Sequence, residues 1–93
     1  MPSNQLTYKS NAKTLVALKI SLTGLYKTLK DAQEKYLIAL QEEIKCVFNQ
    51  EDNARVEIAQ IDRRRSFERL TAIYLFILAR RKLISDYEKG TLM

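Results

Sequence analysis

Histidine and tryptophan are missing from this chain, and it holds only one cysteine, one proline and two glycines among 93 residues. Without histidine, the commonest general base and metal ligand and the usual switch near neutral pH are all lacking. A lone thiol, Cys46, rules out a disulfide framework within the chain and a thiolate zinc cluster, and it suits a reducing interior. With glycine only at positions 24 and 90, the chain has no phosphate-cradling or dinucleotide-binding glycine loop. So little Gly and Pro also leaves almost nothing for turns, which argues against a fold of many short elements. No apolar run reaches the roughly 20 residues of a transmembrane helix, and Met1 to Ser10 lacks the apolar centre of a signal peptide. The expected setting is cytoplasmic, with no membrane partner.

What is abundant are the helix formers Ala, Leu, Lys, Glu, Gln and Arg, and they argue for an all-α fold. A chain of this length has room for one small domain, whose core is marginal without help. Lys and Arg together number 16 against 11 Asp and Glu, a net charge of +5 that biases the surface mildly towards acidic partners.

The run Leu70 to Ala79 is apolar almost throughout, with Arg63, Arg64, Arg65 and Arg69 before it and Arg80, Arg81 and Lys82 after it. On a helix, such a run covers every face, so it must be buried on more than one side. Upstream, from about Asn11 to Phe48, apolar residues keep a heptad. Leu15, Leu22, Leu29 and Tyr36 fall at one seam position, and Leu18, Leu25, Ala32 and Ala39 at the other; Leu40, Ile44 and Val47 continue the stripe. This predicts one long amphipathic helix with a single main buried face. Gly24 and the capping-box form of Asp31-Ala32-Gln33-Glu34 mark the place where it would break, between Gly24 and Asp31. The register crosses both without a phase change, which favours continuity.

Asn49-Gln50-Glu51-Asp52-Asn53 reads as a short helix–helix connection, so the second helix, from about Asn53 to Tyr87 or Glu88, should run antiparallel to the first. At 100° per residue one of its faces collects Val56, Ala59, Leu70, Ile73, Tyr74, Ile77 and Ile84. The other collects Ala54, Ile58, Ile61, Ala72, Leu75, Phe76, Ala79 and Leu83. The first helix can cover only one of these. The expected architecture is therefore a long antiparallel helical hairpin, completed into a bundle by self-association or by a partner. Residues 11–90 form the single helical domain, with tails over residues 1–10 and 91–93.

The candidate partner-binding residues are Ile58, Ile61, Leu75, Phe76 and Leu83, because exposing several large apolar side chains together is unusual for a soluble monomer. Arg63, Arg64, Arg65, Arg69, Arg80, Arg81 and Lys82 are the candidates for contact with an acidic protein or with nucleic acid. Neighbouring residues on a helix point about 100° apart, so neither basic run makes one patch. Acidic pairs such as Glu42-Glu43 and Glu51-Asp52 sit among polar residues and read as solvated carboxylates. Cys46 reads as a small residue at the helix margin. Nothing here suggests an enzyme, a cofactor, a metal site or a small-molecule substrate.

The stretch Arg63-Arg64-Arg65-Ser66-Phe67-Glu68-Arg69-Leu70, through Leu78-Ala79-Arg80-Arg81-Lys82-Leu83-Ile84, resembles the long arginine-punctuated helix in the α-helical domain of GINS replication-complex subunits. Leu25-Tyr26-Lys27-Thr28-Leu29-Lys30-Asp31-Ala32-Gln33 is similar to the opening helix of that domain. The likeness is one of pattern, over about two thirds of the chain. It departs from that family in length and in lacking both the small β-domain and the aromatic-acidic motif between the helices. The resemblance implies a non-catalytic part in a replication assembly, held by helix–helix contacts. The expected function is thus a helical adaptor or accessory subunit of a larger assembly, associated with a replicative helicase or polymerase. The alternative is a homodimeric four-helix bundle that binds nucleic acid weakly and without sequence preference.

Overall fold

The structure, a computed structural model, describes the backbone of residues 2–90 and the side chains of residues 12–90. The described residues form two helices: α1, Pro2–Phe48, and α2, Asn53–Glu88. They form the helical hairpin that the heptad and the single connection predict. The tail expected over 91–93 lies outside the described residues. Residues 2–10, expected as part of an N-terminal tail, belong to α1 instead. Proline at a first helical position gives up no bonded N–H and comes with its φ already set, so Pro2 starts the helix. Helix α1 runs unbroken through Gly24 and Asp31, and the Thr23 hydroxyl donates to the Lys19 carbonyl at 3.2 Å, a contact within one helical turn.

The connection is built by specific caps. At the end of α1 the Gln50 N–H bonds the Val47 carbonyl at 3.1 Å and the Glu51 N–H bonds the Cys46 carbonyl at 3.0 Å. These are the paired bonds of a Schellman cap, and they put Gln50 at the left-handed position with φ 53°. Asp52 then opens α2: its Oδ1 accepts from the Arg55 N–H at 2.8 Å, and its carbonyl accepts from the Val56 N–H at 3.1 Å. Gly90, at φ 74°, closes α2 by donating to the Tyr87 carbonyl.

The chain divides into two compact units. One is Met1–Tyr26 with Leu75–Met93, and the other is Lys27–Tyr74. In the first, Leu18, Ile77 and Ile84 are buried, and Lys19 Nζ meets Glu88 Oε1 at 3.1 Å across the two helices. That pair is half exposed, so it contributes little to stability.

In the second unit the buried residues are Ala32 and Cys46 on α1 and Ala59 and Ile73 on α2. Half-buried Ala39 and Ser66 complete two small-residue rows spaced by seven, 32-39-46 and 59-66. Interaxial distance depends on the side chains at the contact, so this seam lets α1 and α2 approach closely. Cys46, expected at the helix margin, is instead one of the seam's core residues, because its thiol is small enough to sit there. Beside the seam, Tyr36 and Phe67 stack across the helices with ring centroids 5.6 Å apart and planes tilted by 51°. Glu43 and Arg63 form a partly buried ion pair on the same side.

Candidate docking surfaces

A seam of small residues has a direct consequence for the larger ones. When helices meet through Ala, Ser and Cys, many of the Leu, Ile and Val side chains flanking that line splay to either side and stay exposed. No large side chain among the described residues is fully buried.

On α2 the two expected faces separate as the 100° periodicity requires. Ala59, Ile73, Ile77 and Ile84 are buried, whereas Ile58, Ile61, Leu75 and Phe76 are exposed, with Leu75 at 58% and Phe76 at 62%. Leu83 departs from the expected set. It is half-buried and shares in the packing of its own unit. Tyr74, placed with the buried face by the wheel, is exposed, because it lies at the edge of that face and the small seam leaves its ring uncovered.

Helix α1 also differs from expectation. Ile44 and Val47, predicted to lie in the buried stripe, are more than half exposed, and so are Leu37, Ile38 and Phe48. The stripe is wider than α2 can cover. Tyr36, Leu40, Glu43, Ile44, Val47, Phe48 and Arg63 line an open, mostly apolar groove of about 520 Å³ in the Lys27–Tyr74 unit. On the other side of the seam a smaller hollow of about 270 Å³ is lined by Lys35, Ile38, Ala39, Glu42, Ala59 and Asp62. The sequence carried a signal for this surface. Tyr36-Leu37-Ile38-Ala39-Leu40 is five apolar residues in a row, the same all-round pattern that marks Leu70 to Ala79.

Among the basic candidates, Arg64, Arg65, Arg69, Arg81 and Lys82 are exposed, and Arg80 is half-buried. Arg63 does not fit the expected role. Four residues after Ala59, it lies beside the seam and engages Glu43, so its charge is already matched within the chain. Charge also divides unevenly between the two units. In Lys27–Tyr74 the basic and acidic residues are equal in number, nine of each, so the whole net charge of +5 belongs to the other unit. That unit contains Arg80, Arg81 and Lys82.

Among the described residues no group of three or more His, Cys, Asp or Glu could hold a metal ion. No described helix is long and apolar enough to cross a membrane. In comparison with known proteins, no family model, no curated relative and no solved structure matches this chain.

Proposed function

We propose that this chain is a non-catalytic helical adaptor, an accessory subunit that docks on a larger protein partner through α2. One observation carries this reading: Leu75 and Phe76 are more than half exposed on a helix whose Ile73 and Ile77, two residues to either side of Leu75, are buried. Leaving the two side chains in water forgoes roughly 1.5–3 kcal/mol each, a large share of the stability of a small domain. A partner that covers them recovers that term. Arg81 and Lys82 lie on the same basic unit, so the matching surface is apolar with an acidic rim. The adaptor acts in the cytoplasm, consistent with its single reduced thiol. Its particular form, a subunit associated with a replicative helicase or polymerase, rests on the resemblance to GINS subunits.

The test is purification of the tagged full chain from its native source, with the complex identified by mass spectrometry. The wild type is expected to bring down a stoichiometric complex that includes replication subunits, and the Leu75→Glu/Phe76→Glu double variant is expected to lose it while keeping its helix content. A complex retained by that variant, or none with the wild type, removes the adaptor reading; a complex without replication subunits removes only its replication form.

The uneven charge favours a second reading, in which the +5 unit holds nucleic acid through phosphate contacts that read no sequence. It predicts retardation of both DNA and RNA at low salt that fades steeply as salt rises. Absence of any retardation at low salt eliminates it.

A further inference from the structure

We propose that the apolar groove of the Lys27–Tyr74 unit takes a second copy of this chain, related by a two-fold axis, with each copy lodging Phe48 in the other's groove. This surface is separate from Leu75 and Phe76, and the proposal does not rest on the adaptor reading.

The patch is self-complementary in shape. Phe48, the last residue of α1, is 84% exposed, the most exposed large apolar side chain among the described residues, and it is one of the residues that line the groove. The groove, which it lines together with Tyr36, Leu40, Ile44 and Val47, measures about 520 Å³. A cavity of roughly 150 Å³ already accepts a benzene ring. A surface that carries both a projecting ring and a hollow to receive one meets the requirement of an isologous interface, in which each patch must fit itself.

Charge points to the same occupant. The unit that holds the groove is neutral, so copies that meet there keep their excess charge away from the contact, whereas a pair formed through the other unit would bring +5 directly against +5. The only charged residues in the groove wall, Glu43 and Arg63, are paired with each other. Covering the groove therefore strands neither charge.

Area is near the lower limit of what a pair needs. Ile44, Val47 and Phe48 are 59%, 56% and 84% exposed, and mutual burial of about 500 Å² per copy would reach the roughly 1,000 Å² that a specific interface should clear.

Sedimentation equilibrium of the purified full chain across the micromolar range tests the proposal. A reversible monomer–dimer equilibrium is expected. Phe48→Glu should raise the dissociation constant at least ~30-fold, as for a central interface residue, and Ile44→Gln should shift it in the same direction. Phe76→Glu, on the other surface, should leave it within about three-fold, as expected of a residue outside the contact. Circular dichroism of each variant should match the wild type, since Phe48 and Ile44 contribute little to the core. A chain that stays monomeric overturns the proposal, including one that holds a different protein's helix in this groove. So does a dimer indifferent to both Phe48→Glu and Ile44→Gln, or one lost on Phe76→Glu. The Phe48→Glu monomer should still form the complex that Leu75 and Phe76 mediate, which keeps failure of one proposal distinct from failure of the other.

Discussion

Gly24 stands in the middle of α1, and a methyl group built on it would meet no heavy atom within 4 Å. Nothing in the packing therefore requires glycine there, and the residue costs the helix backbone entropy. Gly24→Ala should stabilise the protein by about 1 kcal/mol, visible as a higher midpoint in urea unfolding with an unchanged slope. Gln50 presents the reverse case. It occupies the left-handed cap position at φ 53°, where a Cβ is strained and glycine is not. Gln50→Gly should also stabilise, by about 1 kcal/mol, and an unchanged or lower midpoint would count against the cap described here. Neither effect could be assigned from composition. The sequence marked Gly24 as a candidate break and the Asn-Gln-Glu-Asp-Asn stretch as a connection, but only the backbone shows which residue takes the positive φ.

At the scale of the element, the row 32-39-46 on α1 and the row 59-66 on α2 decide how the helices meet. Heptad spacing was readable without coordinates. What spacing alone did not convey was that the seam positions between Ala32 and Ser66 are filled mainly by small side chains, so the close approach belongs to them and the bulky neighbours are left at the flanks. The prediction that belongs here is overpacking. Ala59→Leu replaces a methyl that is 5% exposed with an isobutyl group at the line where the helices meet, and it should destabilise the chain by about 1–3 kcal/mol in urea unfolding. The same substitution at exposed Ala54 should cost far less. Equal costs at the two sites would show that the seam is looser than its burial implies. The Arg63–Glu43 pair illustrates the same level. In sequence, Arg63 was one of three consecutive arginines, equivalent to its neighbours; the pairing of α1 with α2 turns it alone toward a carboxylate.

For the molecule as a whole, two uncovered apolar surfaces and an uneven charge set the expected behaviour. If copies pair through Phe48, folding is linked to association, and the thermal midpoint should rise with protein concentration. Scanning calorimetry or fluorescence melting over a hundred-fold concentration range measures this, and the rise should vanish in the Phe48→Glu variant. A midpoint independent of concentration in the wild type would instead describe a self-sufficient hairpin. Because the +5 unit and the neutral unit differ in charge but not in architecture, salt should weaken binding of anionic partners much more than it weakens pairing.

Helicity, a single turn, and apolar residues on more sides of α2 than one neighbour can cover were all legible in the order of residues. Those facts follow from local propensity and from the 3.6-residue period, which are properties of each segment alone. Packing of α1 on α2 settles which flank of each helix is left open, and it adds the groove on α1 to the surface expected on α2. It also took Arg63 out of the set of free cations and placed Cys46 in the core. These outcomes depend on how closely two helices approach and at what rotation, and that is fixed by side chains meeting across the seam rather than by the pattern of either helix alone.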